Sequence, residues 1–460
     1  MRVYKPVTRS KLALIMTQPT LWLSQLQFFS SLGFVLLFLA LELGLVWLLL
    51  YFRLRSLGSG PSAWLAAYRF WVRIFALASI LSFSCTVPVL VQLGSLWPGL
   101  TERAGNVVGP MVAGALLTAF VFKSCFLGAM LFGQRRFSGW AHALTIFMVA
   151  LGVTLVTLWL VALISWMHTP AGASFIDGRY TVYRWQEVIF NPAFGWYAAV
   201  LISASVLTAV FLVMGIVAWQ ALHHPVETHQ RMAFFMALRT ACVVVLILGA
   251  TALGSATMVA KHQTARAAAT LAYWHSDRVP DLVVFGWPDL ASGTTRQEVA
   301  LRGAGTPFVG KDTVGNYRAL DQFSGMMPPV ALVFWSFRVA LIVACVMALL
   351  AWLTLWRARH LVDPTGLGRA WLRVLVAATF SGWVLLAAGF LYLFAGAFPF
   401  AINGTVTVSE LLGKAAFTQV FSASVAYWVV YTLMILGFLH MLWHTARHGV
   451  VPVVRIRGRA

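Results

Sequence analysis

Nine stretches of this chain are apolar and nearly free of charge for about twenty residues or more: 28–52, 70–95, 107–132, 140–166, 195–219, 234–260, 330–355, 372–395 and 418–443. About twenty helical residues cross the hydrocarbon of a bilayer. No water is available there to satisfy backbone N–H and C=O groups, so only helices and closed barrels span it. The period-two alternation of a barrel strand is missing. The pattern predicts an all-α polytopic membrane protein with about nine transmembrane helices. Lys123 interrupts the third run.

Composition agrees. Of the 460 residues, 60% are hydrophobic and 10% are charged, whereas a soluble domain carries roughly 25% charge. The net charge of +20 does not point to nucleic acid. Its basic residues sit between apolar runs, as loops at a membrane surface do. The partner so implied is the lipid bilayer. Cys85, Cys125, Cys242 and Cys345 all fall inside apolar runs, without C-x-x-C spacing. They suggest neither a disulfide framework nor a zinc site. The basic opening segment lacks the short apolar core and small-residue cleavage site of a signal peptide.

The chain divides into a basic N-terminal tail (1–27), helices one to six (28–260), a long loop (261–329), helices seven to nine (330–443) and a basic tail (444–460). The long loop holds seven basic and six acidic residues. It is expected to lack clear secondary structure, and loops of that length are usually functional or disordered. Lys and Arg in the short connections set orientation. One face collects fifteen of them, including Arg53, Arg55, Arg135, Arg136, Arg357 and Arg359. The short loops of the other face carry four, or eight with the N-terminal tail. This asymmetry places the C-terminus in the cytoplasm and the long loop outside.

Several segments, in order, resemble subunit I of the cytochrome bd quinol oxidases. They are Leu26-Gln27-Phe28, Val149-Ala150-Leu151-Gly152, Leu158-Trp159, Trp166-Met167 with Pro170, Asn191-Pro192 and Ala218-Trp219. Phe285-Gly286-Trp287-Pro288-Asp289, Phe334-Trp335-Ser336-Phe337-Arg338, Gly396 with Pro399, and Tyr431-Thr432-Leu433 follow. The nine helices and the long loop after the sixth fit that family too. The resemblance implies a bacterial or archaeal cytoplasmic membrane, two b-type haems, a haem d, and quinol oxidation coupled to oxygen reduction.

The ligand positions of that family are not filled by ligands here. Counted from the shared segments, the first-helix histidine falls at Val35 and the fifth-helix histidine at Val200. The two third-helix glutamates fall at Gly114 and Phe122, and the ninth-helix glutamate at Phe438. The Gly-Arg-Gln-Pro-Trp stretch reads Gly396-Ala397-Phe398-Pro399-Phe400, and no methionine occurs between Met347 and Met434. The quinol-linked lysine and glutamate fall at Arg266 and Leu271. Valine and phenylalanine donate nothing to iron, and no His occurs in 1–141 or 169–222. No cofactor is therefore expected; haem b or haem d belongs to the alternative in which other residues ligate.

The residues that could take over are few. His142 opens the fourth helix, and His168, standing where the family has a glutamine, reads as a surface change at its other end. His223, His224 and His229 form a loop cluster. His440, His444 and His448 share a helix face at i, i+4 spacing, which suits a polar helix end as well as a metal. Glu42 lies deepest in an apolar run, where a carboxyl needs neutralisation or a partner. It could relay protons or satisfy a neighbour, and Lys123 is a conceivable partner. In the long loop, Arg266, Trp287 and Asp289 are candidates to hold a quinone, although an aromatic interface loop explains them equally.

Three functions follow. One is a haem-free relative of subunit I, a structural or regulatory partner of another oxidase-like membrane subunit. Another is an active quinol oxidase subunit with relocated ligands. The third is a transport or small-molecule-binding membrane protein on the same scaffold.

Overall fold

A computed structural model of the protein describes residues 19–58 and 62–449. Among the described residues, nine helices are long and apolar enough to cross a membrane. They are Pro19–Arg55, Ala63–Ser95, Pro98–Arg135, Gly139–His168, Phe194–His223, Thr228–His262, Val330–Ala358, Arg369–Ala395 and Phe417–His448. All nine predicted runs are recovered, most within longer helices. The first helix starts at Pro19, so residues 19–27 extend it by two turns and bury Leu21, Leu23, Ser24 and Gln27. Proline suits a helix start, where its missing N–H has no partner to lose. Residues 1–18 and 450–460, most of the two basic tails, lie outside the described residues.

Local chemistry sets several helix starts. Ser62 Oγ accepts from the Trp64 N–H at 3.2 Å, and Ser138 Oγ from the Ala141 N–H at 3.3 Å. At the sixth helix, Glu227 and Gln230 form a reciprocal capping box. Each device satisfies N–H groups that the helix itself leaves open. Two spans are irregular. The third is non-helical at Ala104 and π-wound over Phe120–Leu127. The eighth breaks between Ala377 and Ser381.

The first and fifth helices are the most buried, and the others pack around them. Their crossing is close. A Cβ added at Gly44 would lie 2.3 Å from the Ser205 carbonyl and 2.7 Å from Ala209 Cβ. The eighth-helix break seats on the fifth helix the same way: Gly215 lies against Thr379, and Gly382 against Thr208. Small residues let backbones approach where lipid gives no hydrophobic drive for helices to associate. A polar knot joins helices one, two and nine. Ser424 donates to Gln27 Oε1 at 2.8 Å, Gln92 to Ser31 Oγ at 3.0 Å, and Tyr431 to Ser31 Oγ at 2.8 Å. Outward faces are apolar, as lipid requires: Ile80, Phe83, Val87 and Val91 of the second helix are all more than half exposed.

Three hairpins sit at one end of the bundle: β1 (Ala173–Ile176) with β2 (Arg179–Val182), β3 (Leu282–Asp289) with β4 (Thr294–Leu301), and β5 (Phe400–Ile402) with β6 (Val406–Thr407). Tyr180 and Thr405 hydroxyls, 2.6 Å apart, tie the first to the third. The long connection is thus structured, contrary to the sequence expectation. Its Ala-rich start, Thr264–Leu271, is a strong helix former and folds as a helix. Its β3 strand is then pinned by Arg338 of the seventh helix, which donates to the carbonyls of Val283, Val284 and Thr270. Short apolar strand segments separated by polar turns hide easily behind a loop-like charge pattern.

The Gly44 crossing predicts a specific sensitivity. Gly44→Leu is expected to lower stability by about 1–3 kcal/mol through overpacking, or to abolish folded yield. Gly389→Ala, where an added Cβ meets nothing within 4 Å, is expected to be neutral. Thermal unfolding of the detergent-solubilised variants checks both. Equal losses at the two positions contradict the close crossing.

Candidate functional site

At mid-bundle, Glu42 is fully buried. Lys123 Nζ lies 2.9 Å from its Oε1 and 3.0 Å from its Oε2, and Ser79 Oγ donates to Oε1 at 2.9 Å. The carboxylate therefore joins helices one, two and three. Lys123 lies within the π-wound segment Phe120–Leu127. One extra residue per turn rotates side chains relative to an α-helix. That rotation brings an ammonium inward on a span little of whose apolar stretch is buried. The pair that the sequence made conceivable is present, and it is a complete local arrangement: a chelated ammonium, a carboxylate and a hydroxyl donor.

At the hairpin end, the structure assembles a group that the sequence reading scattered. Arg266 is 2% exposed. Its Nη1 donates to the Tyr197 hydroxyl at 2.9 Å and its Nη2 to the Leu393 carbonyl at 2.8 Å. His168 Nδ1 is 3.3 Å from that hydroxyl and 3.5 Å from Arg266 Nη2. Gln263 donates to Tyr197 at 3.0 Å. Gly396 is required here: a Cβ on it would lie 2.4 Å from Arg266 Nε. His168 is thus buried, at 3% exposure, not a surface change. The helix Thr264–Leu271 turns Arg266 back over the helix ends, where His168 faces it.

Trp287 and Asp289 have other partners than Arg266. Trp287, 52% exposed, packs on Trp335 with ring centroids 4.9 Å apart. Asp289 accepts from the Ala291 N–H at 3.0 Å and pairs with Arg296. The Ala291 N–H, with the Arg296 guanidinium, holds its carboxyl below the usual carboxylate range. The three loop candidates therefore divide into a buried cluster and an exposed hairpin. Tyr197, Gln263 and Tyr392 belong to the cluster and were not read from sequence. Their only signal was a polar group near the end of an apolar run.

The remaining positions are packed. Val35 is buried in the central apolar core, and Val200 is half-buried and packs against it. A Cβ on Gly114 would sit 3.0 Å from the Trp159 ring. A Cβ on Gly152 would sit 2.2 Å from Phe122 Cβ, so helices three and four interlock at both places. Phe438 stacks among Phe38 and Trp383, with centroids 5.2 and 5.5 Å away. Phe34, Tyr431 and Phe380 extend this aromatic column.

Haem iron requires axial donors such as imidazole, thioether or thiolate. The two buried imidazoles are His142 and His168. They open and close the same helix, about 39 Å apart at 1.5 Å per residue, and cannot share one iron. His142 Nε2 is 3.0 Å from the Met130 carbonyl. Among the described residues, no group of three His, Cys, Asp or Glu side chains could hold a metal ion. Val35, Val200, Gly114 and Phe122 themselves carry no donor atom, so these residues do not fit the role of a haem ligand.

The ion pair gives a measurable coupling. Glu42→Leu and Lys123→Met alone are each expected to cost about 3 kcal/mol, because each strands a buried charge. The double variant is expected to recover most of that loss. Thermal unfolding of the four proteins closes the cycle, and additive losses contradict the pair.

The chain was compared with known proteins. Residues 23–450 match the family described as cytochrome bd terminal oxidase subunit I. A cytochrome bd ubiquinol oxidase subunit 1 of Bacillus subtilis is 25% identical over 439 residues, 91% of each chain. A cytochrome bd-II ubiquinol oxidase subunit 1 of Escherichia coli is 29% identical over 272 residues, covering 58% of this chain and 52% of that protein. A chain of the bd oxidase structure from Geobacillus thermodenitrificans superposes with a TM-score of 0.83 at 18% identity, covering 94% of this chain and 99% of that one. With a family match over most of its length and the same fold, this membrane protein belongs to the cytochrome bd terminal oxidase subunit I family.

Proposed function

We propose that this chain is a haem-free member of its family, a structural or regulatory subunit of a cytochrome bd-type respiratory complex in a bacterial cytoplasmic membrane. The observation that carries the reading is the joint fate of the expected ligand positions. Val35, Val200, Gly114 and Phe122 lack donor atoms, and at Gly114 and Phe122 the facing helix is closely fitted. Trp159 lies over Gly114, and Phe122 is seated on Gly152. A glutamate restored at Gly114 would meet the Trp159 ring. Retained architecture without donors suits a role in assembly, with another oxidase-like subunit supplying the redox centres.

The active-oxidase reading draws on its relatives, which are named as ubiquinol oxidase subunits. It requires ligands elsewhere, and the two buried imidazoles stand at opposite ends of one helix. Quinone binding at Arg266, Trp287 and Asp289 would need the buried cluster and the hairpin to act together. A transport role finds its best candidates, Glu42 and Lys123, already engaged with each other.

The test is quinol-driven oxygen consumption by the purified chain, alone and with whatever membrane subunit copurifies with it. The expected result is no turnover by the chain alone, and turnover only in preparations that hold a second oxidase-like subunit. Quinol oxidase activity of the chain by itself overturns the reading.

A further inference from the structure

The connection between helices seven and eight forms a groove of about 380 Å³ on the face opposite the hairpins, lined by Trp356, Arg357, Arg359, His360 and Leu367. None of the features above uses it. Its lining carries two guanidinium groups and one imidazole. The ion pairs among the described residues involve neither arginine. The acid in this connection, Asp363, accepts from the Thr365 N–H at 2.8 Å as the cap of a short helical turn. Arg357 instead lies over the Trp371 ring at 4.3 Å, and Arg359 over the Trp356 ring at 5.5 Å. Stacking of this kind holds a planar guanidinium in place and leaves its edge donors available.

The groove also has an apolar approach. Leu349, Trp352, Leu353 and Trp356 are 61%, 46%, 44% and 60% exposed. Their i, i+3, i+4, i+7 spacing makes one stripe on the seventh helix, running along the membrane span into the groove. Cationic donors above an exposed apolar stripe match a phosphate headgroup above its acyl chains.

We propose that this groove binds the phosphate of an anionic phospholipid, with Arg357 and Arg359 as donors, His360 at the rim and the acyl chains along the Leu349–Trp356 stripe. Phosphate is the shared chemistry of a lipid headgroup and of free inorganic phosphate. The apolar stripe assigns it to the lipid.

The experiment is native mass spectrometry of the full, delipidated chain after incubation with phosphatidylglycerol or phosphatidylcholine. The wild type is expected to retain one phosphatidylglycerol and no phosphatidylcholine, and millimolar inorganic phosphate is expected not to displace it. R357Q/R359Q is expected to bind that lipid at least tenfold more weakly, and R357K/R359K to restore part of the binding. R135Q/R136Q removes two exposed charges from the same face and is expected to behave as wild type. Equal retention of both lipids by the wild type overturns the proposal, whether or not the variants fold. So do unchanged retention by R357Q/R359Q and an equal loss in R135Q/R136Q. Displacement by inorganic phosphate would make this a free-phosphate site and overturn the lipid assignment.

Discussion

A polar group inside a bilayer has no water to turn to, and the arrangement of this protein follows from that constraint. Backbone groups are satisfied within the long helices, nine among the described residues. Several polar side chains at depth find partners in one another. Glu42 finds Lys123 and Ser79; Gln27, Ser31, Gln92, Ser424 and Tyr431 close on themselves. Each of these links joins two different helices, and those from Lys123, Ser424 and Tyr431 join helices that are not consecutive in sequence. In lipid, where apolar contact does not discriminate protein from solvent, such links and close Gly contacts fix which helices meet and at what rotation.

On the haem-free proposal, side chains take the place of redox centres in the interior of the fold. In this chain the interlocks at Gly114–Trp159 and Gly152–Phe122, and the aromatic column from Phe34 to Phe380, occupy the interfaces among helices one, three, four, eight and nine. Large, rigid rings fill volume at low conformational cost and pack edge to face. These contacts are what the haem-free proposal rests on. The hairpin-end cluster around Arg266 is a different matter. A guanidinium held by a hydroxyl, a carbonyl and an imidazole keeps a buried cation without a carboxylate, a polar feature that apolar packing has not erased.

The spans and the family were legible because a run of twenty apolar residues has one structural solution, and because short segments recur in order over the whole chain. Side-chain placement was less legible. The fourth and fifth helices are apolar all round, so no moment in the sequence says which face is inner. That hid the burial of His168 and its contact with Arg266 and Tyr197. The π-wound stretch Phe120–Leu127 carries no breaker residue, yet it decides where Lys123 points. The Lys123–Glu42 pair could be guessed only because two opposite charges are so rare at depth. In the long connection, charge density masked two strands, the first of which is held by a residue distant in sequence, Arg338.

The central claim is that the interior holds no redox-active haem. A dithionite-reduced minus oxidised absorption spectrum of the purified chain, with extraction of any haem for quantification, tests it most directly. The account predicts no α-band and no stoichiometric haem in the isolated chain. Haem bands at one or more per chain would contradict it and return this protein to the catalytic members of its family.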